Sequence, residues 1–480
     1  MMQQKNVIYI LCDELRADAL GCYTEQLRHT PEIDKIAEEG VCFTSCYCNS
    51  PVCVPSRMSI LTGLYPEDTG VYHNEAAYPP YHLEETYETI PSVLEKHGYQ
   101  TASFGKTHLP YGMNVFQTND GHGGEMHMGL GDQVRNIPHL SPRGMFQSNV
   151  GSTYPENMDF YPEVITENGL RWASEQEKPY FLRLSYLQPH TPVIVKNGYD
   201  KLYSPEEFDG TLKATDRLSV FEQKFAECVG LDTMTEEERK EMKAYYYGQV
   251  SWIDSQVKRV LEYLHEKQEE DRTILIIGAD HGALRGESGG LGKQIFHRAS
   301  HQVPCIIYDP GNPKNGQKDA RLCSNLDLAV TIFHFLNIDP PEQFKGNDLF
   351  GDRSEEEVYS VIGYGETCSY AFPNKLQGRY IQEKGWPRRA CIRTSRYRLD
   401  MNIRIDGKKA EPEEEDIFFT DYVTYPEEDQ NLVAEPQYQN VIAELRRKLW
   451  EHQNGAVEPE KGCIAEIMDK IERHQKQHRK

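Results

Sequence analysis

The run Asn49-Ser50-Pro51-Val52-Cys53-Val54-Pro55-Ser56-Arg57-Met58-Ser59-Ile60-Leu61-Thr62-Gly63 sets a cysteine two residues before a proline and four before an arginine. Pro55 suits the first turn of a helix, where a missing N–H costs nothing, and Gly63 suits the position just past its end. Cys53 is therefore expected at a helix N-terminus, facing unpaired N–H groups and the positive end of the dipole, with Arg57 one turn behind. That environment favours a bound anion. A free cysteine usually packs as a small hydrophobe. Here Pro, Ser and Arg follow at once and make no apolar face. A cysteine phosphatase loop is excluded, because Ser59 stands where its arginine would.

Two acidic pairs come next. Asp13-Glu14 follows the apolar run Val7–Leu11, and Asp280-His281 follows Thr273–Ile277 across Gly278-Ala279. One Asp after a strand is commonly a cap or turn residue. Two such pairs, on two strand ends, supply oxygen and nitrogen donors for one divalent cation. Mostly oxygen ligation points to Ca2+ or Mg2+, and the imidazole leaves Mn2+ or iron open. The cationic candidates stand in similar places. Lys106 and His108 follow the strand-like run Gln100–Phe104, and Lys293 follows a glycine-rich stretch after His281. His190 sits between Pro189 and Pro192 on a stiff turn.

The elements that must position these groups are short β-branched and aromatic runs, including Tyr180–Leu187 before His190. They read as strands buried on both faces of a parallel sheet. Helical stretches such as Pro91–Lys96 and Tyr245–His265 lie between them, which indicates an α/β fold. Ligands in such sheets gather beyond the carboxyl ends of the strands, so the site is expected on one solvent-facing rim. The stretches Tyr111–Tyr161 and Val195–Thr235 read as loops over that rim, with peripheral decoration as the alternative. After about Ala371 the pattern changes to short strands (Arg389–Thr394, Tyr397–Met401, Ile417–Asp421) and a helix from Tyr438 to Trp450. The expected division is a catalytic α/β domain over 1–370 and a small antiparallel α+β subdomain over 371–480. Ile464, Ile467, Met468 and Ile471 form a helical stripe that packs most often on its own protein; a homo-oligomer contact is the weaker reading.

The chain has 480 residues, with 52 basic against 75 acidic and a net charge of −23. That balance argues against nucleic acid or anionic membrane as a partner. No apolar run approaches the ~20 residues of a membrane span. Without a basic-then-apolar leader, the twelve cysteines read as reduced thiols and the expected location is cytoplasmic. Cys42, Cys46, Cys48 and Cys53 lack the paired spacing of a zinc site.

The pattern C-x-P-S-R-x-x-x-L-T-G at Cys53–Gly63 resembles the signature of the sulfatase family. The remaining family segments have counterparts at Asp13-Glu14, Lys106-x-His108, Pro189-His190-x-Pro192, Asp280-His281-Gly282, Gly292-Lys293 and Arg393–Arg398. The resemblance implies an alkaline-phosphatase-like fold with a mixed, mostly parallel sheet. It also implies conversion of Cys53 to formylglycine by a maturation enzyme, the aldehyde hydrate being the nucleophile. Asp13, Glu14, Asp280, His281 and the Cys53 position would be metal ligands, with Ca2+ ahead of Mg2+ or Mn2+. Arg57 would hold the hydrate, and Lys106 and Lys293 would meet the sulfuryl oxygens of a small sulfate ester. His190, alone or with Lys293, would protonate the leaving alcohol, and His108 would take the proton that lets sulfate leave. One departure is Glu14, where the family usually has Asp. Phosphonate and phosphodiester hydrolases of the same superfamily vary there, so they are the first alternative. A non-catalytic anion- or glycan-binding relative is the second.

Overall fold

The four apolar runs lie side by side at the centre of an eight-stranded sheet. In the computed structural model, which describes residues 4–26, 28–83, 85–120, 150–157, 159–191, 193–352, 356–366 and 386–478, the strands are as follows. They are β1 (Asn6–Asp13), β2 (Val41–Tyr47), β3 (Gln100–Gly105), β4 (Thr118–Asn119), β5 (Tyr180–Pro189), β6 (Thr273–Ala279), β7 (Cys305–Tyr308) and β8 (Gln317–Ser324). Their order is β8-β2-β7-β6-β1-β5-β3-β4. Only β7 runs against its neighbours in this sheet; the other pairings are parallel. Every residue of β1, β5 and β6 is buried, as strands covered on both faces must be. Helices flank the sheet and share its main apolar core.

The sequence places the longest helix, α3 (Glu236–Lys267), by strong end signals. The Thr235 side chain accepts from the Glu238 N–H, and Glu236, Glu237 and Glu238 sit against the positive end of the dipole. Its buried face presents Tyr246 to the end of β1, where the hydroxyl donates to the Glu14 carbonyl at 2.6 Å. Earlier in the chain, α1 (Pro31–Glu39) packs beside it, and α2 (Cys53–Thr62) starts at the candidate cysteine. Gly63 closes α2 at φ 63°, in the left-handed region, its N–H donating to Ser59.

A second sheet is antiparallel and holds β9 (Val358–Ile362), β10 (Arg388–Arg393), β11 (Tyr397–Ile405), β12 (Lys408–Lys409) and β13 (Phe418–Asp421). β10 and β13 both pair with β11. Its first strand precedes the expected boundary at 371, because the edge of the sheet is filled by chain leaving the main domain. The boundary itself lies outside the described residues, as do residues 121–149 of the first expected loop. Leu445 and Leu449 of α4 (Gln439–His452) and Ile464, Ile467 and Met468 of α5 (Cys463–His478) close the second core with Val71, Tyr72 and Ala76. Ile464, Ile467 and Met468 of the C-terminal stripe therefore pack on their own chain.

A buried charge network pins this subdomain to the second expected loop, Val195–Thr235. Glu428 accepts from Arg393 at 2.7 and 2.9 Å and from Arg398 at 3.3 Å, and Arg398 reaches Glu222 at 2.7 Å. In the same stretch, Phe221 and Phe225 pack with Leu284 and Leu291. Residues 218–231 of this stretch are thus packed, whereas 204–217 are mostly exposed. Burial alone raises the Glu428 carboxyl, but Arg393 and Arg398 outweigh it and hold it well below the usual range. A value depressed in the folded state means the stabilisation is complete above the unfolded value and is lost progressively as pH falls from there through the folded value. Glu428→Gln leaves two buried guanidinium groups short of a charge partner. Thermal unfolding at neutral pH should show a loss of roughly 3–5 kcal/mol, and the difference from the parent should shrink in acid.

Candidate active site

Six chain segments converge at the carboxyl ends of the central strands, one of them bringing Lys293 just after Leu291–Gly292. β1 delivers Asp13 and Glu14, β6 leads into Asp280 and His281, β3 into Lys106 and His108, and β5 into His190. The N-terminus of α2 brings Cys53 over them. The expected solvent-facing rim is instead enclosed: Cys53 is 1% exposed, and Arg57, Asp13, Asp280 and His281 are each 0%. The physical reason is internal satisfaction. Arg57 donates to Asp280 at 2.7 Å, to Asp13 at 3.2 Å, and to the Lys106 carbonyl and Ser185 hydroxyl at 2.9 Å each. Ser56 donates to the Asp280 carbonyl at 2.5 Å, and the Asn325 amide faces the same oxygen at 3.3 Å.

Asp13, Cys53, Asp280 and His281 each offer one ligating atom, all within 4.8 Å of one another. Two carboxylates, an imidazole and the cysteine position form a donor set suited to a divalent cation. Burial lowers the His281 imidazole, but Asp280 outweighs it and pushes it up to about 9. An imidazole that ligates a cation is neutral. The His281 Nδ1 faces the Gly282 carbonyl at 2.9 Å, which turns Nε2 toward Cys53 at 3.2 Å.

Glu14 departs from the expected ligand set. Its carboxylate faces Lys293 at 3.2 Å, His190 at 3.4 Å and Arg285 at 3.3 Å. With Asp13 and His190 it forms a second close group of potential ligands, but cationic side chains already occupy that side. Glu14 itself sits at φ 63°, in the left-handed region; its N–H faces Asp280 Oδ1 at 3.4 Å while its carboxylate meets Lys293, His190 and Arg285.

The sulfur is ringed by positive charge. Lys293 Nζ lies 2.8 Å and Lys106 Nζ 3.6 Å from Cys53 Sγ, and Lys106 also pairs with Asp13. Burial by itself raises the thiol, but Lys106, Lys293 and His281 hold it well below its usual value. His108 also reaches Cys53; burial and Lys106 bring its imidazole down to about 4. His190 turns Nδ1 to the Thr191 carbonyl. Thus every proposed site residue lies in one cluster, although Arg57 contacts the carboxylates where it was expected to hold the nucleophile. Reasoning from sequence missed Arg285, Ser185, Tyr246 and Asn325. Ser56, inside the signature, was the one supporting residue with a visible signal.

Gly105 is what lets β3 deliver Lys106. It has φ +91°, and a Cβ there would meet the Ser185 carbonyl oxygen at 2.2 Å. Gly105→Ala should cost roughly 1–3 kcal/mol of stability. It should also lower kcat, because Lys106 is anchored to that same carbonyl through its N–H at 2.8 Å. Unfolding curves and steady-state rates on one preparation check both effects.

Residues 5–338 match the sulfatase family model, and residues 286–455 match that of the N-sulphoglucosamine sulphohydrolase C-terminal region. The chain belongs to the sulfatase family. Sulfatases are sulfuric ester hydrolases, and the chain is an enzyme of that kind. It is 27% identical over 409 residues to an arylsulfatase of Clostridium perfringens (strain 13 / Type A), covering 77% of this chain and 84% of that one. Two solved structures share the fold. One is BT4656 in complex with its substrate D-glucosamine-2-N,6-O-disulfate, with TM-score 0.69, 19% identity and coverage of 95% and 98% of the two chains. The other is the phosphonate monoester hydrolase of Agrobacterium radiobacter, with TM-score 0.73, 21% identity and coverage of 96% and 97%. The alkaline-phosphatase-like architecture expected from the sequence is therefore the observed one.

Proposed function

We propose that this sulfatase hydrolyses a sulfate monoester of a small molecule, a sulfated sugar foremost, with formylglycine made from Cys53 as its nucleophile. The observation that carries this reading is the Cys53 position at a helix N-terminus, in contact with two ammonium groups and beside two carboxylates and an imidazole. The glucosamine disulfate bound by the structural relative supports a sugar ester. Asp13, Asp280, His281 and the Cys53 position would hold a divalent cation, Ca2+ ahead of Mg2+ or Mn2+. When bound, the cation supplies Lewis-acid charge at the sulfuryl group and lowers the pKa of the aldehyde hydrate.

The chain's own residues do the rest. Lys293 and Lys106 meet the sulfuryl oxygens as negative charge grows in the transition state. His190, held between the Thr191 carbonyl and Glu14, supplies the proton for the leaving alcohol, with Lys293 as the second donor. His108, neutral at physiological pH, takes the proton that frees sulfate. Arg57 fixes the two carboxylates so that they need not reorganise. A formylglycine-generating enzyme is the required partner, and the cytoplasm is the proposed location.

Glu14 gives a second reading its footing. With that carboxylate outside the four-donor group, a phosphonate monoester or phosphodiester is the alternative substrate class. Rates on an aryl sulfate, an aryl phosphodiester and an aryl phosphonate, measured on one preparation, separate the two. The sulfate should lead in kcat/KM by at least about tenfold, a margin set by differential transition-state binding. The reverse order assigns the reaction to phosphorus esters.

A further inference from the structure

Arg285 has no assigned part in the reaction, yet it is a 2% exposed guanidinium separated from the sulfur by one carboxylate and one lysine. It sits on a two-residue ribbon, Leu284–Arg285, paired with Leu291–Gly292, so Arg285 and Lys293 leave the same piece of backbone. Its guanidinium lies over the Tyr246 ring at 4.6 Å, and Nη2 faces Glu14 Oε2 at 3.3 Å. Nη1 reaches its neighbour's carbonyl, Leu284 O, at 3.4 Å, and the Arg285 N–H donates to Glu287 at 2.6 Å. The other Glu14 oxygen, Oε1, faces Lys293 Nζ at 3.2 Å and His190 Nε2 at 3.4 Å. Lys293 in turn lies 2.8 Å from Cys53 Sγ.

One buried carboxylate is thus divided among an arginine, a lysine and a histidine. Its full charge would bind the Lys293 ammonium as a closed pair and draw it from the sulfur, because a buried ion pair is attracted strongly where water does not screen it. The guanidinium opposite takes up part of that charge. It is itself held by the Tyr246 ring, and Tyr246 also grips the chain at Glu14, donating to its carbonyl at 2.6 Å. We propose that Arg285 is a positioning residue that, by sharing the Glu14 carboxylate, keeps Lys293 aimed at the Cys53 position and the sulfuryl group bound there. Arg285 touches neither Cys53 nor the four-donor group in the structure, so it acts through Glu14. This inference rests on the sulfate-ester reading above and names a determinant of the same site.

A double-mutant cycle with Glu14→Gln tests it, read by kcat, by KM and by the affinity for inorganic sulfate in calorimetry, with bound metal measured for each protein. Arg285→Met should lower kcat about ten- to hundredfold with KM little changed, the scale of a misplaced electrostatic group. It should also weaken sulfate binding while leaving metal content at the parent level. In the Glu14→Gln background the same change should cost less than about threefold, because the charge it shared is gone. Arg285→Lys keeps the charge without the flat stack and should retain kcat within about tenfold of the parent. It also serves as the test should Arg285→Met fail to fold: a loss as large as that expected for methionine would overturn the proposal. Equal losses in both backgrounds, or a kcat for Arg285→Met within about twofold of the parent, would likewise overturn it. Failure of the reaction assignment looks different. A parent inactive on sulfate esters whose sulfate affinity still shows the 14–285 coupling refutes the substrate class and keeps the positioning role. An active parent without the coupling refutes the positioning role alone.

Discussion

Cys53→Ala is expected to abolish turnover, lowering kcat by at least about a thousandfold, as removal of a nucleophile does elsewhere. Cys53→Ser should be nearly as poor, with one slow turnover at most, since a serine ester of sulfate needs attack by water where an aldehyde hydrate would expel the sulfate. The fold should survive both changes despite the burial of the site. Packing of α2 is carried by other side chains: Ile60 and Leu61 enter the main core, Val54 and Met58 the second, and Val52 just before it joins Phe296 and Ile362. Unfolding curves with melting points close to the parent would confirm that activity and not structure was lost. A steady-state rate within about tenfold of the parent would contradict the nucleophile assignment.

Asp280 should have the second-largest effect, and it should be double. Its side chain accepts from Arg57 at 2.7 Å and from the His281 N–H at 2.9 Å, and it belongs to the four-donor group. Asp280→Asn keeps the shape but removes the charge that organises both partners. Metal affinity is expected to fall at least about tenfold and kcat at least about a hundredfold. Chelation of the parent protein should mimic the substitution, and added divalent cation should restore the parent. A variant that is inactive but binds metal as tightly as the parent would give Asp280 a different task.

Much of this site was legible because each part follows an abrupt change in residue type. Val7–Leu11 turning into Asp13, and Thr273–Ile277 into Asp280, mark buried strands that end in polar groups. Cys53–Gly63 carries its own helix signals in Pro55 and Gly63. The parts that were not legible depend on contacts distant in sequence. Arg285 stands in a glycine-rich stretch that looks like any exposed loop, and its partner Glu14 is 271 residues away. Glu14 reads as a ligand beside Asp13 until its carboxylate is seen to face Lys293, His190 and Arg285. The enclosure of Cys53 was hidden for a related reason: Ser56 and Arg57 look solvent-bound by type, yet their polar atoms are met inside by Asp280, Asp13 and Ser185. In the second sheet, Val358–Ile362 supplies an edge strand that pairing alone reveals.

Mass spectrometry of the peptide carrying Cys53, from protein made in a host with a formylglycine-generating enzyme, tests the central claim most directly when turnover of an aryl sulfate is measured on the same samples. The account predicts a peptide that has lost its sulfur and gained an aldehyde oxygen, with kcat rising in proportion to the converted fraction across preparations. Full turnover by protein whose Cys53 is wholly an unmodified thiol would contradict it.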